Sequence, residues 1–131
     1  MNTAHTIHDV GVASQIGKYS DAVETAPNLR WLITAGTPGL AASRHVPPDI
    51  TGQSEIAWQH IMAMLAQARM TVGDIVKVTQ YLTRAEDIRA YAAVRARFLG
   101  DARPASMLLV VPALVWPDFL VEVEIIAAAP P

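Results

Sequence analysis

The sequence predicts an α+β fold, a sheet with two helices packed on one of its faces. The chain has 131 residues, the size of one domain, and contains no linker, repeat or low-complexity segment. Two segments have the spacing of amphipathic helices, and six shorter segments have the composition of strands. Their order, β-β-β-α-β-α-β-β, is typical of helices packed against a sheet. We expect a single domain over residues 1–131.

The first half of the chain contains three predicted strands and a loop. Residues 6–12 and 19–25 are the first two strands, and a Pro-Asn turn precedes the third, residues 30–35. Because a short turn separates them, we expect residues 19–25 and 30–35 to pair as a hairpin. Residues 36–48 are rich in glycine and proline and are predicted to form a loop.

The first helix is predicted over residues 51–69, with Asp49 or Thr51 as its cap. Its apolar residues recur at helical spacing and form one face: Ala57, Ile61, Met64, Leu65 and Ala68. A Gly-Asp turn then leads into a predicted strand over residues 75–82.

The second predicted helix covers residues 87–99 and ends at Gly100, a residue type that commonly follows the last turn. Residues 105–111 and 119–127 are the last two predicted strands, joined by a proline-rich turn.

The composition excludes several classes of protein. Hydrophobic residues make up 52% and charged residues 17% of the chain. A small monomer can hardly bury that much apolar surface, so we expect a buried subunit interface. The net charge of −2 does not favour a nucleic-acid partner. The chain has no cysteine and no histidine pair at ligand spacing, so no metal site is expected.

The sequence predicts neither export nor membrane insertion. The first residues lack the cationic flank and the apolar core of a signal peptide. The most apolar stretch, residues 107–129, is interrupted by prolines and acidic residues and is not expected to span a membrane. We therefore expect a cytoplasmic protein without a membrane partner.

Two glutamates stand out in the last predicted strand. Alternation places Glu122 and Glu124 on one face with Leu120 and Ile126, while Phe119 and the next alternate residues take the other face. The glutamates could form the solvent-facing side of an edge strand. Alternatively, a buried carboxyl with a raised pKa could act as a general acid or base, or orient a water.

Arg95 lies in the middle of the apolar stripe of the second predicted helix, which also contains Tyr91 and Phe98. A guanidinium in that position must reach solvent or find a partner. It could form a structural ion pair with Glu122 or Glu124. Alternatively, it could bind the carboxylate of a substrate through two parallel hydrogen bonds.

The order of six segments resembles the RidA family, also called YjgF/YER057c/UK114. The segments are IGKYSDAV, LITAG, QSEIAWQHIMAMLAQARMTVGDIVKVTQYLT, VRARFLG, RPAS and VEVEIIA, within residues 10–127. The resemblance implies a chorismate-mutase-like fold with a six-stranded, mainly antiparallel sheet and two helices on one side. It also implies a homotrimer with a central barrel and three clefts between subunits. The activity it implies is cofactor-independent hydrolysis of reactive enamines and imines to keto acids and ammonia.

The same resemblance implies a set of site residues. Tyr19 and Gly36 match residues that line the cleft, and Glu122 matches the glutamate that is thought to position the attacking water. Ser106 stands where the deaminases of the family have an arginine that binds the substrate carboxylate. This difference predicts weak or no acceleration of 2-iminopropanoate hydrolysis.

Arg95 aligns with a polar cleft residue of the deaminases, and we expect it to supply the missing positive charge, with Trp116 or Phe119 at the mouth. The first hypothesis is a hydrolase for imines or enamines of small carboxylates. The second is a non-catalytic trimer that binds a small carboxylate-bearing ligand, which Ser106 favours. The third is the older ribonuclease label of the family, which the net charge does not favour.

Overall fold

The computed structural model describes residues 2–131, and two helices and seven strands lie within that range. The helices are α1 (Ile50–Gln67) and α2 (Ile88–Leu99). The strands are β1 (His5–His8), β2 (Ala22–Thr25), β3 (Arg30–Ile33), β4 (Thr37–Pro38), β5 (Ile75–Leu82), β6 (Ala105–Val110) and β7 (Val121–Ala129). The predicted α+β class agrees with this arrangement of two helices and a mixed sheet.

The main sheet has five strands. Its order is β3-β7-β5-β6, and the short β4 pairs with a further part of β7. All pairs are antiparallel except β5 with β6, which run parallel over six residues of each strand. Strand β6 therefore forms one edge of the sheet, and β5 and β7 lie at its centre.

Both helices pack on the same face of this sheet. Helix α1 begins where the Asp49 side chain accepts a hydrogen bond from the backbone N–H of Gly52 at 2.9 Å, so Asp49 is the cap. Helix α2 ends at Gly100, as predicted. The core between helices and sheet is formed by Trp58, Ile61, Leu65, Val78, Leu82, Tyr91, Val94, Val121, Val123 and Ile125. Within residues 2–131, no helix is long and apolar enough to cross a bilayer.

The predicted hairpin between residues 19–25 and 30–35 is wrong. Strand β2 pairs with β1, from His5 opposite Thr25 to His8 opposite Ala22. Strand β3 pairs instead with β7, which places Leu32 beside Ala127 against the core. That burial favours pairing with the central strand over pairing with β2, whose residues are exposed or half-buried.

The expected six-stranded sheet differs from the observed one. Strands β1 and β2 form a two-stranded sheet of their own, and just before β2 an isolated β-bridge pairs Ser20 with Ala105 of the main sheet. Part of the predicted loop over residues 36–48 becomes β4 because Thr37 and Pro38 find partners on β7. Strand β7 also begins at residue 121 rather than 119, since the N–H of Leu120 bonds the Gln53 side chain at 2.8 Å.

Candidate functional site

Glu122 and Gly36 lie together on the sheet face that carries no helix. Alternation along β7 buries Val121, Val123 and Ile125 and leaves Glu122 half-buried on the opposite face, as predicted. The loop after β3 brings Gly36 so close that a Cβ atom there would lie 2.5 Å from Glu122 Oε1. Only a residue without a side chain leaves this carboxyl in its position.

The environment of Glu122 favours its protonated form. Burial raises the pKa of this carboxyl, and the negative charge of Glu124 raises it further. Glu124 accepts a hydrogen bond from the Tyr81 hydroxyl at 2.9 Å. Glu122, by contrast, has no hydrogen bond or ion pair with any of residues 2–131. It is therefore a carboxyl that can exchange a proton with a molecule placed against this face.

Arg95 lies on the other face of the sheet, among the helices, so the proposed ion pair with Glu122 or Glu124 is wrong. Strand alternation separates the guanidinium from both carboxylates. Its Nη1 donates instead to Oε1 of Gln80 at 2.7 Å, and its Cζ lies 5.5 Å from the Tyr91 ring centroid. In the described part of the chain, no carboxylate oxygen lies within 4.0 Å of Arg95.

Gln80 connects Arg95 to Ser106. Gln80 is fully buried on β5, where its Oε1 also accepts from the Tyr91 hydroxyl at 2.7 Å. Its Nε2 donates to Ser106 Oγ at 3.1 Å and to the Met107 carbonyl at 2.8 Å. The structure thus brings Ser106 and Arg95 to one amide, on the helix side of the sheet and beside its β6 edge.

Tyr19 lies near the same edge. Its neighbour Ser20 is bridged to Ala105, the first residue of β6, and Ser20 N–H donates to the Pro104 carbonyl at 3.2 Å. The Ser20 hydroxyl donates to the Arg103 carbonyl at 2.5 Å. These bonds hold the half-buried Tyr19 beside the beginning of β6, where Ser106 is the second residue.

Trp116 belongs to the loop before β7 and stacks on Phe119, with ring centroids 4.9 Å apart and planes at 18°. Phe119 is buried, whereas Trp116 is 41% exposed. Gln53 of α1 holds this loop, since its Nε2 donates to the Asp118 carbonyl at 2.9 Å. Trp116 is therefore a fixed, exposed aromatic surface, and within residues 2–131 it makes no hydrogen bond or ring stack with Glu122 or Arg95.

A groove of about 900 Å³ lies elsewhere, between the β1–β2 hairpin and the end of α2. Its lining mixes polar residues with apolar ones, among the latter Ile7, Val23, Val72 and Leu99. None of the site residues predicted from the sequence lines it. In residues 2–131, no group of three or more acidic or histidine side chains is arranged to hold a metal ion.

Sequence reasoning did not identify Gln80. The signal was present, because alternation along IVKVTQYL places Gln80 on the same face as Val78 and Leu82. A polar residue on an apolar strand face needs buried hydrogen-bond partners.

The fold is shared with known proteins, whose sequences are similar to this one over most of its length. A family model described as endoribonuclease L-PSP matches residues 11–129. A RutC family protein of Pyrococcus horikoshii is 32% identical over 114 residues, which cover 86% of this chain and 87% of that protein. A crystal structure of a YjgF/YER057c/UK114 family member from Mycobacterium tuberculosis is similar with a TM-score of 0.67 and 33% identity, covering 94% of this chain and 98% of the other. The crystal structure of E. coli TdcF with bound serine has a TM-score of 0.70 and 25% identity, with coverage of 86% and 88%. The chain therefore belongs to the RidA family, also called YjgF/YER057c/UK114.

Proposed function

We propose that this protein is a cytoplasmic, cofactor-independent hydrolase that converts imines and enamines of small carboxylates to keto acids and ammonia. The observation that carries the proposal is Glu122, a half-buried carboxyl with a raised pKa and no partner in the described chain. A partly buried carboxyl with a raised pKa is the kind of group that serves as a general acid or base in enzymes. The bound serine of the related E. coli protein supports a small ligand that carries a carboxylate.

In the proposed reaction, Glu122 takes a proton from the attacking water. As the water oxygen bonds to the imine carbon, Glu122 passes this proton to the nitrogen, which gives a carbinolamine. Glu122 then takes the proton of the carbinolamine hydroxyl and delivers it to the nitrogen, the carbon–nitrogen bond breaks, and ammonia leaves as the carbonyl forms. One imine and one water give one keto acid and one ammonia, so no redox partner is needed.

We propose that the complete site forms between copies of the chain. Glu122 and Gly36 lie on the open face of the sheet, whereas Arg95 and Ser106 lie on the helix side, so one chain alone cannot enclose a small substrate with both groups. The open face also exposes Trp31, Ile33, Met107 and Leu109. The chain exposes 7509 Å², more than the roughly 6,700 Å² typical of a compact monomer of this mass. Both observations support a homotrimer with the substrate cleft, including Tyr19 and Trp116, between subunits.

The test is imine hydrolysis by the parent and two matched variants. Imines are generated in solution by an amino-acid oxidase or a PLP-dependent dehydratase, and their loss is followed by trapping with semicarbazide. We expect Glu122→Gln to lower the rate by about 10²-fold or more, because the acid–base group is removed. Glu124→Gln should keep activity and shift its pH dependence to lower pH, because the charge of Glu124 raises the pKa of Glu122. A parental rate for Glu122→Gln would show that Glu122 does not carry the chemistry.

Ser106 supports a second candidate, a non-catalytic trimer that binds small carboxylates. The arginine that binds the carboxylate in the family's deaminases is absent, and the Ser106 oxygen accepts a bond from Gln80 instead. This candidate predicts saturable binding of a carboxylate without faster hydrolysis of any imine. The hydrolase hypothesis predicts faster hydrolysis of at least one imine, with the smallest rate increase for 2-iminopropanoate. The net charge of −2 does not support RNA cleavage.

A further inference from the structure

We infer that Gln80 is a positioning residue that holds Arg95 and Ser106 as the two halves of one anion site for the carboxylate of the ligand. The identity of that ligand as a small carboxylate rests on the proposed function. The position of the site and the role of Gln80 follow from the contacts of the buried amide.

The orientation of the Gln80 amide is determined by its neighbours. Arg95 has only N–H donors, so the atom 2.7 Å from its Nη1 must be the amide oxygen. The Met107 carbonyl can only accept, so the atom 2.8 Å from it must be the amide nitrogen. All hydrogen-bonding positions of the amide are then occupied, because Tyr91 takes the second position on the oxygen and Ser106 the second N–H.

This orientation determines what Ser106 can do. Because Gln80 Nε2 donates to Ser106 Oγ, the hydroxyl oxygen is an acceptor in that bond and keeps its own proton for another partner. Within residues 2–131, that proton has no acceptor in the hydrogen bonds of Ser106. The hydroxyl is therefore available to donate to an anion outside the core.

The same amide leaves the charge of Arg95 intact. A neutral amide oxygen fixes one guanidinium nitrogen without cancelling the positive charge, whereas a carboxylate at the same place would form an ion pair. Arg95 is half-buried and has no carboxylate within 4.0 Å in the described chain. A partly desolvated, uncompensated guanidinium next to a free hydroxyl donor is a site for a carboxylate.

The site lies where a ligand can reach it. Ser106 is on β6, the edge strand, and both Ser106 and Arg95 are half-buried rather than buried. Tyr19 is held near the same end of β6 through the bridge between Ser20 and Ala105. The anion site therefore borders the edge strand and is separated by the sheet from Glu122 of the same chain.

The deciding variant is Gln80→Glu, which keeps the shape of the side chain. A carboxylate there forms an ion pair with Arg95 and accepts the proton of the Ser106 hydroxyl. Neither the positive charge nor the hydroxyl donor is then available to a ligand. We expect calorimetric titration of the full-length protein with pyruvate and with benzoate to show saturable binding, weakened about tenfold or more in Gln80→Glu. A purely structural role for Gln80 would change the melting temperature and leave the affinity of the folded protein as in the parent, and that result would overturn the inference.

Two further variants apply if Gln80→Glu does not fold. Ser106→Ala removes only the outward donor, and Arg95→Gln removes the charge while keeping a donor for the amide of Gln80. Both should weaken pyruvate and benzoate binding, whereas Arg97→Gln, on the exposed side of the same helix where Arg97 pairs with Glu55, should not. Parental affinity in either Ser106→Ala or Arg95→Gln would overturn the site, and so would the absence of saturable binding in the parent.

Binding and hydrolysis separate this inference from the proposed function. Glu122→Gln should bind pyruvate as tightly as the parent or more tightly, since it removes a negative charge. If Gln80→Glu binds pyruvate more weakly while Glu122→Gln hydrolyses imines at the parental rate, the anion site stands and the proposed chemistry is refuted. If Glu122→Gln loses hydrolysis while Gln80→Glu binds pyruvate as the parent does, the proposed chemistry stands and the anion site is refuted.

Discussion

Replacing Gly36 by alanine tests whether the position of the Glu122 carboxyl matters for catalysis. A Cβ atom at Gly36 would lie 2.5 Å from Glu122 Oε1, whereas ordinary contacts begin at 3.4 Å. The carboxyl must therefore move by the difference of about 0.9 Å. A displacement of about 1 Å in a catalytic group can lower a rate by about 10²-fold. We expect Gly36→Ala to lower the rate of imine hydrolysis to a similar extent.

The stability of Gly36→Ala should remain at or slightly above that of the parent. The obstructing atom is the end of a flexible side chain, and the backbone of Gly36 is outside the left-handed region. Replacing glycine by alanine at a position whose backbone angles alanine can adopt stabilises a protein by about 0.4–1 kcal/mol, because it lowers the conformational entropy of the unfolded chain. Gly73→Ala is the matched control, because its Cβ would meet Thr71 Oγ1 at an ordinary 3.5 Å. Parental hydrolysis by a folded Gly36→Ala protein would refute the role given to the position of Glu122.

Three further predictions concern stability and assembly. Gly39→Ala should lower the melting temperature by about 3–10 °C, because its Cβ would lie 2.5 Å from the Gln53 backbone in α1, which cannot move aside; an unchanged thermal melt would contradict this. Glu122→Gln should raise the melting temperature at pH 7. The raised pKa of Glu122 means that its contribution to stability is present at low pH and lost as pH rises through the folded-state value, so the difference between variant and parent should shrink below pH 4.5. Light scattering should give a molar mass of about three times 14.1 kDa, because the open sheet face exposes large apolar residues that a trimer would bury. A stable monomer at micromolar concentration would exclude the cleft between subunits.

Local sequence pattern determined most elements of the fold. The strand over residues 75–82 has the predicted bounds, and α1 and α2 begin and end within two residues of the prediction. These segments have strong periodicity, a capping residue at Asp49 and a helix-ending Gly100, which act over a few neighbouring residues. Strand pairing, by contrast, depends on contacts between residues that are far apart in the sequence. Residues 30–33 pair with the carboxyl-terminal strand almost 100 positions away, because that contact buries Leu32.

The sequence by itself also determined family membership and the face of β7 on which Glu122 and Glu124 lie, since both depend on the order and alternation of residues. Only the tertiary structure decided what those residues meet. It places Arg95 across the sheet from both glutamates, against an amide that pattern analysis had not selected. It also places the backbone of Gly36 against Glu122. These contacts join segments that are distant in the chain. The packing of the helices on one face of the sheet decides which side chains share a buried space. Periodicity along a single segment carries no information about that packing.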